Sequence, residues 1–329
     1  MYEEFYHLTA MPFQLTPDSR FFFGSKGHSK AIAHLNYGLA QGEGFIIITG
    51  EVGAGKTTLV EWLRTQMDES AYTIARVSTT QVSENDLFRL AMAGFGLVEE
   101  ELSKAALLNR FEGVLRDHQQ SGRRCLLIID EAQNLSLPAL EELRMLSNIT
   151  IDGRTSLQTI LLGQPQFRRM LASPNLEQLR QRVLTSYHLG PLSLEETRAY
   201  IEHRLLAVGW NDDPHWDDSA FESVFHQSGG IPRRINRLCS RILLYGVLEA
   251  THLITTAVVE VTAEELSKDL DGGGDWGDTS VPAHATSNGS AGHDTGYDSS
   301  VLGRLEVLEQ QMAQREQVFR RLTQMLGVR

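Results

Sequence analysis

A glycine-rich string with a Lys-Thr pair lies near residue 50. It consists of Gly50, Glu51, Val52, Gly53, Ala54, Gly55, Lys56 and Thr57, followed by Thr58. The glycines let successive backbone amides turn toward one point, where they can bind phosphate oxygens. An apolar run, 45–49, precedes the string, and a helical pattern, 57–67, follows it. This order of strand, loop and helix is typical of a phosphate-binding loop rather than of a chance glycine-rich turn.

The Lys-Thr pair carries the more specific chemistry. In such a loop the Lys56 amine reaches the terminal phosphates of a nucleotide, and the Thr57 hydroxyl binds Mg²⁺. The start of the following helix adds a favourable field for anions. We therefore expect a nucleotide site at residues 50–58, with ATP and Mg²⁺ as its ligands.

Two acidic residues follow another apolar run, 125–129. Asp130 is expected to hold Mg²⁺ through water, and Glu131 to orient and polarise an attacking water. A carboxylate beside the terminal phosphate is needed for hydrolysis and is not specifically needed for transfer to a bound substrate. The pair thus predicts an ATPase, although two acids that simply cap a strand end remain the alternative.

The elements that position these residues alternate along the chain. Five short apolar runs, 45–49, 73–77, 125–129, 158–162 and 185–189, are separated by longer helical patterns. This alternation predicts an α/β fold with a five-stranded parallel sheet. Ser193 and Glu196 form a capping-box pattern that starts a mainly helical region. We expect a nucleotide-binding core over residues 1–192 and a small helical lid over residues 193–267.

The composition changes after residue 267. Residues 268–300 are rich in Gly, Asp, Ser and Thr, which predicts a flexible acidic linker. Residues 301–329 carry a heptad pattern made of Val301, Leu305, Leu308, Met312, Arg315, Phe319, Leu322 and Leu326. The pattern predicts a coiled-coil helix that binds a partner or a second copy, and a solvated amphipathic helix is the alternative.

The overall composition narrows the class. Hydrophobic residues make up 41% and charged residues 22% of the 329 residues, as in soluble globular proteins. A net charge of −12 argues against a surface devoted to nucleic acid. Cys125 and Cys239 lack paired spacing and are expected to be reduced and buried. Without an apolar run of about 18 residues, a cytoplasmic protein is expected.

Several further strings, in this order, carry a family resemblance. They are Met11-Pro12-Phe13, Thr16-Pro17-Asp18, Phe21-Phe22-Phe23, Tyr37-Gly38-Leu39, Asp130-Glu131-Ala132-Gln133-Asn134, Gly163-Gln164-Pro165 and Gly229-Gly230-Ile231-Pro232-Arg233-Arg234-Ile235-Asn236. Together with the loop they resemble the general secretion pathway protein A type of AAA+ ATPase over about residues 1–267. More narrowly, they are similar to the secretion ATPase of exosortase and PEP-CTERM loci, which lie with exopolysaccharide genes.

The resemblance implies an oligomeric ATPase with a RecA-like core, and it suggests three further roles. Gln164 takes the place of the first sensor, unless it is only a turn residue before Pro165. Arg182, or else Arg180, takes the place of the arginine that reaches a neighbouring subunit's site, unless both are solvated helix charges. Arg233 takes the place of the second sensor in the lid.

Two other features keep alternatives open. Arg234 and Arg237, which lie close to Arg233, could bind an acidic partner. The segment Phe21 to His28 could pack against adenine, or its phenylalanines could belong to the core. His28 and His34 have no second ligand at a metal-binding spacing and are not assigned to metal.

The leading functional hypothesis is an ATPase that drives or regulates a cell-envelope export system. Family members carry a membrane span and a peptidoglycan-binding region after the ATPase domain, where this chain has the linker and heptad helix. We therefore expect residues 301–329 to recruit a protein partner, such as an inner-membrane export or polysaccharide component. The alternatives are a nucleic-acid-associated ATPase of the transposition or initiator type, which the acidic linker disfavours, and a non-hydrolysing oligomerisation switch.

Overall fold

The computed structural model describes residues 2–16, 18–78, 84–97 and 103–271. All of them fall within one compact unit of the chain. The predicted heptad helix, 301–329, and most of the predicted linker lie outside the described residues.

The strands of the described residues include the five that the apolar runs predict. They are β1 (Phe45–Gly50), β2 (Tyr72–Ser78), β3 (Arg124–Asp130), β4 (Thr150–Ile151), β5 (Arg154–Thr155), β6 (Leu157–Gly163), β7 (Val183–Leu189), β8 (His215–Trp216) and β9 (Leu253–Ile254). One parallel sheet of these residues has the order β2-β3-β6-β1-β7. The other strands form two short pairs, β4 with β5 and β8 with β9. The predicted α/β fold with a five-stranded parallel sheet is confirmed.

Helices of the described residues separate and cover these strands. They are α1 (Tyr2–Phe5), α2 (Lys26–Gln41), α3 (Lys56–Gln66), α4 (Glu84–Gly94), α5 (Lys104–Gln120), α6 (Leu137–Leu146), α7 (Pro165–Leu171), α8 (Glu177–Arg180), α9 (Leu194–Leu206), α10 (Asp218–Ser228), α11 (Pro232–Leu248) and α12 (Thr256–Asp271).

The central strands are buried on both faces of the sheet. Successive side chains of β1 point to opposite faces, so Phe45 and Ile47 pack in one apolar cluster and Ile46 and Ile48 in another. All residues of β1 and β6 are buried. Cys125 lies on β3 as a buried free thiol, as predicted, and burial raises its pKa to about 12. These apolar runs therefore form strands because helices cover them from both sides.

The parallel register brings the chemistry to one edge of the sheet. Thr49 pairs with Gly163, and Ile129 pairs with Leu161, so β1, β3 and β6 all end at the same edge. The phosphate-loop string starts at the last residue of β1, Asp130 is the last residue of β3, and Gln164 directly follows β6. Three segments that are distant in sequence therefore meet there.

The helical lid begins where the capping box predicts. The Ser193 hydroxyl accepts a hydrogen bond from the Glu196 amide (3.2 Å), and the Glu196 carboxylate accepts one from the Ser193 amide (3.1 Å). The same carboxylate accepts a bond from the Lys26 amide (2.8 Å), which ties α9 to α2. At the other end, α12 continues to Asp271, so residues 268–271, which the sequence analysis assigned to the linker, are helical.

The N-terminal segment packs with the lid rather than with the sheet. Tyr2, Tyr6, Leu8, Phe13 and Phe21 belong to the apolar cluster that also holds the buried faces of α9, α10 and α11. The Tyr6 hydroxyl donates a hydrogen bond to the Thr251 carbonyl (2.9 Å) across the cluster. Residues 2–16 and 18–21, here called the N-terminal strap, therefore pack with the lid, and the domain boundary between residues 192 and 193 stays a prediction.

Among the described residues, no helix combines the length and the apolar character that crossing a bilayer requires.

Candidate nucleotide-binding site

The phosphate-loop string forms a tight loop between β1 and α3. Gly53 and Gly55 have φ angles of +84° and +96°, a region that side-chain-bearing residues rarely adopt. Gly55 caps α3 without a side-chain hydrogen bond, so the first amides of this helix have no capping side chain. The loop therefore has the backbone geometry of an anion site at a helix N-terminus.

Lys56 is held against the inside of the loop. Its side chain is buried, and Nζ donates hydrogen bonds to the carbonyl oxygens of Gly50 (2.8 Å) and Glu51 (3.0 Å). Burial lowers the pKa of Lys56, while the carboxylates of Glu131, Asp130 and Glu51 oppose that shift. The ammonium group thus lies between the loop and the acids at the end of β3.

Thr57 and Asp130 meet across the end of the sheet. The Thr57 hydroxyl donates to Asp130 Oδ2 (2.8 Å), and Asp130 Oδ1 accepts a bond from the Glu131 amide (3.0 Å). A hydroxyl beside a buried carboxylate is a set of hard oxygen ligands of the kind that Mg²⁺ prefers. No group of three His, Cys, Asp or Glu side chains among the described residues could hold a metal alone.

Arg76 is a neighbour of this pair that the sequence analysis missed. It lies on β2, and its Nη2 donates to Asp130 Oδ2 (3.1 Å), the oxygen that Thr57 also contacts. Its Nη1 pairs with Glu61 on α3. An arginine in a strand has no motif of its own, and only the pairing of β2 with β3 brings it to Asp130.

Glu131 is held in an unusual conformation by two amide side chains. Its φ of 55° and ψ of 41° place a non-glycine residue in the left-handed region, at a cost of about 1–3 kcal/mol that is typical of functional sites. Oε2 accepts hydrogen bonds from Gln164 Nε2 (3.0 Å) and Gln133 Nε2 (2.5 Å). Gln133 Oε1 in turn accepts a bond from the Gln164 amide (3.0 Å). The predicted sensor residue is thus in contact with the predicted catalytic carboxylate, and Gln133 joins them.

The lid touches the phosphate loop at Arg233. The amide of Arg233 donates to the Gly53 carbonyl (3.2 Å), and a Cβ added at Gly53 would lie 2.3 Å from the Cβ of Arg233. Helix α11 starts at Pro232, so its first turn rests on the loop. Among the described residues the exposed Arg233 side chain has no hydrogen bond, and it faces the cavity described next.

A cavity of about 300 Å³ lies between the loop, the strap and the lid. Lys56, Thr57, Glu131 and Arg233 line its polar end. The rest of the wall is formed by the strap, by the segment 22–28 that follows it and by the lid, and it includes Leu15, Phe21, Phe22, Phe23, His28, Tyr200, Arg204 and Asn236. A cavity of this size whose wall combines aromatic, polar and charged groups is typical of a ligand-binding site. Phe21 also packs in the lid cluster, which is the core role suggested for the phenylalanines, and the packing of this segment against adenine stays a prediction.

His28 is buried beside the phosphate loop. Its Nδ1 lies 2.7 Å from the Ser25 hydroxyl, and its Nε2 lies 3.0 Å from the position that a Cβ on Gly55 would take. Burial lowers the pKa of His28 to about 4, against the opposing charge of Glu196. The ring is therefore neutral near pH 7, and it fills the space beneath Gly55.

Arg180 and Arg182 lie away from this cavity. Arg182 directly precedes β7, whose first residue pairs with Phe45 at the start of β1. The loop follows the other end of β1, about 16 Å away for five strand residues. Arg182 Nη1 contacts the Ser147 carbonyl (3.3 Å), and Arg180 Nη1 contacts the Leu171 carbonyl (2.9 Å). Neither arginine joins the nucleotide cavity of its own subunit.

A comparison with family models matches residues 39–171 to the family described as AAA domain. The matched segment contains the phosphate loop, Asp130, Glu131 and Gln164. Residues 39–171 are thus similar to an AAA domain. Its fold, a parallel sheet of the order given above with a helical lid, is that of an AAA+ P-loop NTPase.

One relative extends the likeness beyond the AAA domain. General secretion pathway protein A of Aeromonas hydrophila is 37% identical over 271 residues, which are 81% of this chain and 49% of that protein. The chain thus spans about half the length of that relative.

Solved structures show the same fold at low identity. The ADP form of the ORC2 protein of Aeropyrum pernix has a TM-score of 0.58 and 17% identity, covering 77% of this chain and 72% of that chain. Cdc6p from Pyrobaculum aerophilum has a TM-score of 0.59 and 14% identity, covering 76% and 71%. At these identities the likeness concerns the fold alone.

Proposed function

We propose that this protein binds ATP with Mg²⁺ and hydrolyses it, and that the cycle serves a cell-envelope export system. The observation that carries the hydrolysis is the position of Glu131, whose side chain lines the same cavity as Lys56 and Thr57. A carboxylate there can accept a proton from a water that attacks the terminal phosphate.

The residues of the cavity fit the proposed ligands. The amides of the loop and the Lys56 ammonium would hold the phosphates, and the apolar wall of the strap would hold the base. Thr57 and Asp130 would hold Mg²⁺, which supplies charge neutralisation at the phosphate oxygens when it is bound.

The contacts around Glu131 support a role as general base. Two amide donors on Oε2 fix the direction of the Glu131 carboxylate and so restrain its thermal motion. Gln164 also faces the same site from the end of β6, where a first sensor would contact the attacking water or the terminal phosphate.

The lid supplies the proposed coupling. Because α11 rests on the loop at Gly53, a change at the terminal phosphate that moves Arg233 would move the lid. Arg182, or else Arg180, would act on the site of a neighbouring subunit, since each lies at the opposite edge of its own sheet. Hydrolysis would then depend on assembly into an oligomer.

The setting in export rests on the likeness to general secretion pathway protein A. Within it we propose the narrower setting of an exosortase, PEP-CTERM or exopolysaccharide locus. Residues 301–329 would bind an inner-membrane component and hold the ATPase at the membrane periphery. Neighbouring genes for an exosortase and polysaccharide synthesis would support this setting, and transposase genes would contradict it.

Phosphate release by the wild type and by Glu131→Gln, over a range of protein concentrations, tests the hydrolysis. The variant is expected to bind ATP and to release phosphate at a rate lower by about 10²–10⁴-fold. Glu222→Gln, an exposed lid carboxylate, is the matched control and is expected to match the wild type. If the wild type binds ATP but is no faster than Glu131→Gln even when assembled, the protein is a nucleotide-dependent switch and the proposal fails.

A pull-down tests the partner. Deletion of residues 301–329 is expected to leave ATP binding intact and to abolish capture of the membrane component. Unchanged capture would assign the partner site to another part of the chain.

A further inference from the structure

Arg204 is a buried cation in the wall of the nucleotide cavity. It lies on α9 with 5% of its surface exposed. Its guanidinium carbon is 4.7 Å from the centroid of the Phe21 ring and 5.5 Å from that of Tyr200. These contacts join a residue of the N-terminal strap to two residues of the lid, and they attract the cation through the ring electrons.

The hydrogen bonding of Arg204 is incomplete within the protein. A guanidinium group has five N–H donors. Nη1 contacts the Gln14 carbonyl at 3.4 Å, which is long for a hydrogen bond. Nε is buried and has no acceptor among the described residues.

The charge of Asp18 acts on Arg204 but does not supply the missing acceptor. Asp18 acts on Arg204 through its charge alone, because its carboxylate is bonded to Arg20 Nη2 (2.7 Å) and Gln14 Nε2 (3.1 Å). Burying a cation with so few hydrogen-bond acceptors costs free energy of folding, so we expect a ligand in the cavity to supply a further acceptor.

The place of Arg204 in the cavity indicates which half of a nucleotide supplies that acceptor. Lys56, Thr57 and the loop form the phosphate end, and Arg233 is the lid cation beside the loop. Arg204 instead lies among Phe21, Tyr200 and Asn236, the last of which accepts a bond from the Tyr200 hydroxyl (2.8 Å). Aromatic walls of this kind suit the base of a nucleotide. The missing acceptors would then be ring nitrogens of that base or oxygens of the ribose.

We propose that Arg204 donates hydrogen bonds to the base–ribose half of the bound nucleotide and so ties the lid and the strap to it. This inference rests on the proposed ATP site. It assigns different tasks to the two lid arginines that line the cavity, because Arg204 would contact every adenine nucleotide while Arg233 would respond to the terminal phosphate.

Binding of three probes to the full chain tests the assignment, with ATP, ADP and inorganic triphosphate each measured by displacement of a labelled ATP. Arg204→Met keeps the apolar stem and removes the donors. Its affinity for ATP and for ADP is expected to fall by about tenfold to a hundredfold, the loss of one or two charge-assisted hydrogen bonds. Its affinity for inorganic triphosphate, which has no base or ribose, is expected to stay within about twofold of the wild type, since no donor to phosphate is lost.

Two other variants separate this role from its alternatives. Arg198→Met removes a half-exposed arginine of the same helix, which pairs with Glu202 and Asp218, and it is expected to leave all three affinities unchanged. Arg233→Met is expected to lower the affinity for ATP more than the affinity for ADP. Arg204→Lys keeps the charge and the stem. If Arg204→Met melts at a lower temperature than the wild type, the same three affinities are measured on Arg204→Lys.

The proposal is overturned if Arg204→Met and Arg204→Lys bind ATP and ADP as the wild type does. It is also overturned if the affinity for inorganic triphosphate falls in the same proportion as the affinity for ATP, because Arg204 would then act on the fold or on the phosphate end. A wild type that binds no ATP would instead contradict the proposed function itself.

Discussion

Gln164 donates a hydrogen bond from Nε2 to Oε2 of Glu131 over 3.0 Å, and so links the end of β6 to the carboxylate that follows β3. The bond restrains the proposed general base from a strand that is distant in sequence. Because Gln164 also stands at the N-cap of α7, its backbone is fixed by Pro165 and by the helix. The contact is thus built from two rigid ends of the sheet.

Replacing Gln164 by Leu tests this contact. The variant keeps the size of the side chain and removes its donor, so the turnover rate is expected to fall by about tenfold to a hundredfold, as for loss of a positioning hydrogen bond. ATP affinity is expected to change little. Single-turnover phosphate release and equilibrium binding, measured together, check both parts, and an unchanged turnover would leave Gln164 as a turn residue.

Gln133 extends the prediction to a pair. It donates to the same oxygen of Glu131 and accepts from the Gln164 amide, so Gln133 and Gln164 hold one carboxylate together. Residues that share a partner are expected to be non-additive by about 0.5–3 kcal/mol. The turnover of Gln133→Leu, of Gln164→Leu and of the double variant gives this coupling. Strictly additive losses would show that the two glutamines act separately.

Gly53→Ala tests the contact between the lid and the loop. The new methyl group would lie 2.3 Å from the Cβ of Arg233 at a φ of +84°, so the loop and α11 cannot both keep their positions. ATP affinity is expected to fall by at least about tenfold, because strain and displacement each cost about 1–3 kcal/mol. Isothermal calorimetry measures the loss.

Gly113→Ala is the matched control for that substitution. Gly113 lies within α5, and an added Cβ there meets no atom within 4 Å. Removing a helical glycine is expected to raise the free energy of unfolding by about 0.5–1 kcal/mol and to leave ATP affinity unchanged. A loss of affinity in both variants would point to a general effect on folding instead.

Patterns read along the chain predicted the strands well, because burial on both faces makes their apolar runs almost continuous. The roles assigned to the phosphate loop, Asp130 and Glu131 also depend on neighbours in sequence, and these roles stay predictions. Arg76, Gln133 and Arg204 were missed, since each acquires its partner only through strand pairing or lid packing. The packing of the strap with the lid could not be predicted for the same reason, because the sequence around its phenylalanines does not show which cluster they join.

The pH dependence of stability should depend on His28. Its pKa is about 4 in the folded protein, against an ordinary value of 6.5, so the unfolded chain binds more protons between these values. Stability from this residue is present above about pH 6.5 and is lost as the pH falls toward 4, by at most about 3 kcal/mol. Denaturant unfolding of the wild type and of His28→Gln, compared from pH 7 to pH 4.5, checks it. The variant is expected to lose less stability over this range, and parallel curves would exclude His28 as the cause.

The arginines before β7 permit a test of assembly by mixing two inactive variants. Arg182 lies at the edge of the sheet opposite to the phosphate loop, so an active site would combine the loop of one subunit with the arginine of the next. Arg182→Ala and Lys56→Ala are each expected to be inactive alone. In a mixture, some interfaces receive an intact loop from the first variant and an intact arginine from the second, and part of the activity is expected to return.

Arg180→Ala in place of Arg182→Ala identifies which arginine reaches the neighbouring subunit, because a variant that keeps its activity alone has not lost that arginine. Light scattering shows whether the two variants co-assemble. If mixtures that co-assemble recover no activity, both arginines have structural roles within their own subunit, in agreement with their hydrogen bonds to the Ser147 and Leu171 carbonyls.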